Sequence, residues 1–223
     1  DIHVSSLSMI YPQTKNPVFE NINFEVSAGT VLCISGNNGA GKTSLIKTII
    51  GILPFTRGKI LFEKIEISQL SVNWLRQNIS YVPQVPEFVD ASLFHNISYG
   101  NNNIDKAIIS KAINDADLSN FINTHPKGIL MGMKNSNNNL PIGIIKRIAF
   151  ARSLIGDGQI FVLDEPTEGM DKIGLSAVIS KIKDLKQRGK TIIIASSNDD
   201  LINISDVKID LNKKENNKNV YGK

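Results

Sequence analysis

Gly36-Asn37-Asn38-Gly39-Ala40-Gly41-Lys42-Thr43 is the stretch on which the reading of this chain turns. It fits the pattern G-x-x-x-x-G-K-[ST], in which glycines let successive backbone N–H groups turn inward on phosphates at a helix N-terminus. Lys42 is expected to reach the β- and γ-phosphates of a nucleotide and Thr43 to offer its hydroxyl to Mg2+. Ser44, one position on, is placed to contact the α-phosphate. A Gly-rich turn can match such a pattern by chance, so the flanks decide. Before the loop, Val31-Leu32-Cys33-Ile34-Ser35 is an apolar run of strand length. After it, Leu45, Ile46, Ile49 and Ile50 fall on one helical face, and Gly51 with Pro54 ends the segment. The loop therefore joins a strand to a helix, the context its chemistry requires.

Similar apolar runs, bounded by Gly, Pro or Asn, recur at Ile79 to Val82, Ile160 to Leu163 and Thr191 to Ala195. Alternation of such runs with segments of helical period predicts an α/β fold with a mostly parallel sheet. From Ile104 to Ile122 the helical period (Ile108, Ala112, Ile113, Ala116) continues without a buried strand, so about 88 to 157 reads as a helical lobe. Within it, Lys134 to Asn139 is an Asn-rich loop, and Asn139 is the expected cap of a helix running to about Ile155. The polar tail after Leu211 is expected to fray.

With 223 residues and 41% hydrophobic content, the chain can bury a core without staples. Its one cysteine, Cys33, sits inside an apolar run and reads as a small core residue rather than half of a disulfide or a nucleophile. The net charge is +4, but the basic residues are scattered, and no Lys/Arg-rich run interleaved with aromatics marks a nucleic-acid surface. No stretch approaches the roughly 18 consecutive apolar residues that span a bilayer, and no leader opens the chain, so a soluble domain is expected. The start at Asp1 rather than Met points to a piece of a longer polypeptide or to a trimmed chain.

A second chemical element is Ile160-Phe161-Val162-Leu163-Asp164-Glu165, an apolar strand that delivers two carboxylates at its end. Buried carboxylates need a reason. Asp164 suits a Mg2+ ligand, directly or through water, and Glu165 suits the base that polarises an attacking water. Alone the pattern is common; behind a matched phosphate loop it is specific.

From the phosphate loop through Tyr81-Val82-Pro83-Gln84, Leu140 to Leu154, Asp164-Glu165-Pro166-Thr167 and Gly169-Met170-Asp171, nearly the whole chain resembles the nucleotide-binding domain of ATP-binding cassette (ABC) transporters. The resemblance implies a P-loop, RecA-like core at 1–87 and 158–223, an N-terminal antiparallel β subdomain, and an inserted helical subdomain at 88–157. It implies ATP and Mg2+ as ligands, with Gly36 to Ser44 holding the nucleotide, Tyr11 stacking on adenine, and Thr43, Gln84 and Asp164 around the metal. Glu165, Lys42 and Gln84 would be the catalytic groups. For Tyr11 an ordinary strand-edge tyrosine is the competing reading. Asp171 matches the aspartate that meets an opposing subunit. Leu70 to Gln84, Leu93-Phe94-His95-Asn96-Ile97, Phe121-Ile122 and Pro126-Lys127-Gly128 resemble the exporter branch, in which the ATP-binding domain follows a transmembrane domain. The implied partners are a second such domain, alike or different, and a transmembrane domain, at the cytoplasmic face of the cell (inner) membrane.

Two motifs depart from the family. Its Leu-Ser-Gly-Gly-Gln signature aligns on Leu140-Pro141-Ile142-Gly143-Ile144, where only Leu140 and Gly143 match. Pro141 has neither hydroxyl nor N–H, and Ile142 carries a branched side chain where backbone approaches phosphate. The family's H-loop histidine aligns on Ser197, and His3, His95 and His125 lie far upstream. Asn135 also stands where a Glu is usual. The expectation is an ATP-powered exporter domain with slow hydrolysis. The alternative is an ATP-dependent dimerising regulatory cassette with little turnover. A chromosome-associated relative is disfavoured, since no long coiled-coil insertion separates the motifs and no basic stripe is visible.

Overall fold

The computed structural model describes residues 1–134 and 139–212, so Asn135 to Asn138 and the tail from Lys213 lie outside the described residues. In chain order the strands are β1 (Ile2–Met9), β2 (Phe19–Val26), β3 (Val31–Ser35), β4 (Arg57–Phe62), β5 (Ile65–Glu66), β6 (Ile79–Val82), β7 (Ile160–Asp164), β8 (Thr191–Ala195) and β9 (Val207–Asp210). The helices are α1 (Lys42–Ile49), α2 (Val72–Asn78), α3 (Leu93–Ile97), α4 (Lys106–Asp115), α5 (Ser119–Thr124), α6 (Ile142–Ser153), α7 (Lys172–Gln187) and α8 (Asp199–Asn203). Two compact units emerge: the described residues of Asp1–Ile79, Gly158–Glu165 and Leu185–Lys223, and those of Ser80–Asp157 and Pro166–Asp184.

The first unit contains an antiparallel sheet ordered β2-β1-β4-β5 and the parallel strands β7-β8-β3-β9. In β1, Ile2, Val4, Leu7 and Met9 face inward, with register shifts around Ser6 and Leu7 that keep the apolar set on one face. β7 and β8 are buried along their whole length, as is β3 up to Ile34, which explains their unbroken apolar sequences: a covered parallel sheet has no solvent side. Leu45, Ile46, Ile49 and Ile50 are buried, as their spacing predicts. α1 closes when Gly51 N–H donates to Thr48 O (3.1 Å) and Ile52 N–H to Lys47 O (2.8 Å), the double bond of a Schellman ending. Cys33 is fully buried in β3, and burial pushes its thiol up to about 11 from 9.0.

The second unit differs from the sequence expectation in two places. The helical run from Ile104 to Ile122 is two helices, α4 and α5, because Asp117 adopts a left-handed φ of 53°. Leu118 N–H then donates to Ile113 O (3.0 Å) and closes α4. The Arg147 guanidinium holds this turn from a distant part of the sequence, donating to Asp117 O (3.0 Å) and to Asp117 Oδ2 (2.7 Å). The helix after the Asn-rich loop starts at Ile142, with Pro141 and not Asn139 in the cap position. Pro141 accepts from Ile144 and Ile145 N–H through its carbonyl, and its extended ψ of 140° sets the helix start without a side-chain cap.

The start of α6 lies against the Thr167 to Asp171 turn. Gly169 has φ +72°, and a Cβ there would stand 2.1 Å from Ile142 Cγ2; one on Gly143 would stand 2.7 Å from Gly169 O. Gly169→Ala is therefore expected to destabilise the protein by about 1–3 kcal/mol from backbone strain alone, with the clash in addition. Ile142→Gly in the same chain should return part of the loss, and urea unfolding of the double-mutant cycle measures it. For Cys33, the folded value exceeds the unfolded one, so its contribution is complete below pH 9.0 and is lost as pH rises towards about 11. The stability gap between the parent and Cys33→Ala should narrow across that range.

Candidate nucleotide site

Parallel pairing sets Ile34 beside Ala195 and Asp164 beside Ala195, so β3, β7 and β8 end level with one another. The residues that follow these ends are Gly36 of the phosphate loop, Glu165, and Ser196 with Ser197. Ligands of open parallel sheets bind outside the carboxyl ends of the strands. Four of the sequence-predicted groups, Lys42, Thr43, Asp164 and Glu165, meet here in the first unit.

α1 begins at Lys42, with Gly41 at its cap in a left-handed conformation (φ 95°). A Cβ on Gly41 would stand 2.9 Å from Val18 Cγ1, so only glycine fits the turn that opens α1. Asn37, Asn38, Gly39 and Ala40 complete the loop, with Ala40 N–H donating to Asn37 O (3.1 Å). Lys42 is 7% exposed. Its Nζ donates to Gly36 O (2.7 Å) and to Ser197 Oγ (3.1 Å), and pairs with Glu165 Oε1 (3.1 Å). Ser197 Oγ in turn donates to Gly36 O (3.0 Å). The position that lacks the family's histidine thus carries a hydroxyl tied to the phosphate loop and its lysine.

Thr43 Oγ1 donates to Asp164 Oδ1 (3.1 Å), and Asp164 is fully buried at the end of β7. A hydroxyl and a carboxylate side by side are the hard oxygen donors that suit Mg2+, which is held by one or two such protein groups together with substrate phosphates. Glu165 has a left-handed φ of 44°, fixed by its N–H donating to Ala195 O (2.8 Å). A non-glycine residue in that region is uncommon and costs energy, and here it turns the side chain next to Lys42. Ser196, which sequence reasoning missed, stands 3.2 Å from Glu165 Oε2 through its hydroxyl. Its signal was available: Ser196 follows β8 as Glu165 follows β7.

Tyr11 lies just beyond β1, 38% exposed, with its hydroxyl 3.1 Å from Ser44 Oγ. Gln84 lies in the second unit, where its carbonyl accepts from Lys146 Nζ (2.5 Å). Lys146 is completely buried and also faces Glu168 Oε2 at 3.8 Å, a cation that sequence reading did not single out. In the same unit, Arg147 pairs with Asp171. The Gly174 N–H (2.9 Å), and next to it Arg147, hold the Asp171 carboxyl below the usual range.

The family model described as "ABC transporter" matches residues 19–168. Multidrug resistance protein pgp-1 of Caenorhabditis elegans is 28% identical over 195 residues, covering 87% of this chain and 15% of that protein. The ATP-dependent lipid A-core flippase of Nitrosococcus oceani is 30% identical over 195 residues, covering 87% of this chain and 33% of that protein. A bacterial Atm1-family ABC exporter solved with ATP bound shares the fold, with a TM-score of 0.88 and 23% identity over 99% of this chain and 38% of its own. The chain thus spans a third or less of the length of these two relatives. The matched residues run from β2 through the phosphate loop to the carboxylates that end β7, and the chain belongs to the ABC transporter family, as its nucleotide-binding domain.

Proposed function

We propose that this domain binds Mg-ATP on Gly36 to Ser44 and hydrolyses it slowly to drive export across a membrane. The observation that carries the reading is the convergence of Lys42, Thr43, Asp164 and Glu165 at the level strand ends, with Lys42 Nζ 3.1 Å from Glu165 and Thr43 Oγ1 3.1 Å from Asp164. Lys42 would exchange part of its present partners for the β- and γ-phosphates, and Tyr11 would lie along adenine. Thr43, Asp164 and Gln84 would hold Mg2+, which when bound neutralises charge on the phosphates. Glu165, released from Lys42, would polarise the attacking water. The proposed domain keeps one ATP-binding core at 1–87 and 158–223 with a helical subdomain at 88–157.

The finer assignments follow from family membership. A second ABC ATP-binding domain would close over the ATP, and a transmembrane domain would dock at the cytoplasmic face of the membrane. Among the described residues no helix is long and apolar enough to cross a membrane. On the second unit, Tyr99 is 64% exposed, and the Arg152 guanidinium lies 5.9 Å from its ring and 5.1 Å from that of Phe88. The regulatory-cassette reading is not favoured, because the relatives named above are an exporter, a flippase and a multidrug resistance protein.

Slow turnover is supported by what Ser197, Pro141 and Ile142 do. The Ser197 proton goes to Gly36 O, so the hydroxyl offers no donor to a γ-phosphate in this arrangement. Pro141 has no N–H, and the Ile142 side chain covers Gly169. Losing one donor to developing phosphoryl charge costs about 2.7–4 kcal/mol, on the order of a hundred- to a thousandfold in rate.

Lys42→Ala is expected to weaken binding of a fluorescent ATP analogue by about ten- to a hundredfold, the worth of a charge-assisted hydrogen bond. Unchanged affinity would place the phosphates elsewhere. Steady-state hydrolysis should be weak in the parent and should rise by at least roughly tenfold in the variant carrying Ser197→His, Pro141→Ser and Ile142→Gly. A parent already as fast as the repaired chain would remove the case for an impaired site.

A further inference from the structure

The Ser196 hydroxyl is completely buried and has two partners. It accepts from Asn198 N–H (3.1 Å) and lies 3.2 Å from Glu165 Oε2. A hydroxyl carries one proton, and an ionised carboxylate can only accept. Since the Asn198 contact uses a lone pair, the Ser196 proton points at Glu165. Neither end of this contact is free to drift. Ser196 N–H donates to Ile34 O (3.1 Å), tying the residue to β3. The Asn198 side chain caps α8 by accepting from Asp200 N–H (2.9 Å) and Leu201 N–H (3.3 Å). Glu165 is fixed in turn by its left-handed backbone and its bond to Ala195 O.

The carboxylate is therefore gripped at both oxygens, Oε1 by Lys42 and Oε2 by Ser196. These grips differ in what nucleotide does to them. Lys42 is the residue that phosphates recruit, so its hold on Oε1 weakens when ATP binds. Ser196 has no part in the phosphate loop, and its hold survives. We propose that Ser196 is a positioning residue for hydrolysis: once Lys42 has turned to the phosphates, its hydroxyl keeps the Glu165 carboxylate aimed for the water it activates. This rests on the reading of Glu165 as the water-polarising group.

Ser197, the next residue, provides the contrast. Its hydroxyl serves Lys42 and Gly36 rather than Glu165, so it acts on the ground-state phosphate loop. Adjacent serines thus divide their work, one on the carboxylate and one on the cation.

The test is a double-mutant cycle of Ser196→Ala and Glu165→Gln in the intact protein, with single-turnover hydrolysis of radiolabelled ATP followed over hours and ATP affinity measured separately. Ser196→Ala should lower the rate roughly tenfold, a modest misplacement of a catalytic carboxylate, and leave ATP affinity within about twofold. In the Glu165→Gln background it should cause no further loss. Ser197→Ala, by contrast, should change affinity. An unchanged rate in Ser196→Ala, or a rate and affinity that fall together, overturns the proposal while Glu165 keeps its role. The same loss in the Glu165→Gln background assigns Ser196 to folding alone and overturns it too. If Glu165→Gln hydrolyses as fast as the parent, the reading of Glu165 fails and Ser196 loses its function with it.

Discussion

Everything at the nucleotide site depends on the parallel register of three strands. Because Ile34 and Asp164 both stand beside Ala195, the chain leaves β3, β7 and β8 at one level, and three segments distant in sequence deliver their next residues to one place. A slip of one residue in β7 would carry Asp164 and Glu165 to opposite faces from those they now occupy. The register is held by burial on both faces, since each strand is apolar along its length and no alternative pairing leaves a solvent face to absorb a polar residue. Packing energy in the sheet thus becomes positional accuracy at its edge.

At that edge lies an ion pair, Lys42 with Glu165, whose side chains are 7% and 17% exposed. A buried pair contributes little net stability, because desolvation offsets attraction, but removing one partner is costly. The arrangement holds both side chains in place at the strand ends. In the proposed complex, phosphates would compete for Lys42 because they bring more negative charge than one carboxylate and would meet the N-terminus of α1 as well. On the proposed reading, binding and readying the base would be one event: the cation would move to the ligand, and Glu165 would stay beside Ser196.

The sequence made the local parts of this legible and left the non-local parts hidden. The strands at Val31, Ile79, Ile160 and Thr191 and the helix after the phosphate loop follow from short apolar patterns, and each forms where those patterns place it. The break between α4 and α5 was not readable, because the period of Ala112, Ile113 and Ala116 runs on to Leu118. The chain turns instead at Asp117, whose left-handed backbone is held by Arg147 from α6. Asn139 has good capping chemistry, yet the helix waits for Pro141, where the chain meets the Gly169 turn. Ser196 was overlooked for a related reason: its place after β8, as Glu165 stands after β7, acquires meaning once the two strands are paired.

The altered signature can be understood through the same packing. Gly143 sits with no room for a side chain against Gly169 O, and Ile142 spreads over Gly169 itself, so the first turn of α6 and the turn before α7 form one interlocked surface. Arg147, one turn further along α6, ties the same two segments through Asp171. Position 142 carries an apolar side chain that the neighbouring glycine accommodates. It therefore contributes to the cohesion of the second unit, through its side chain against Gly169.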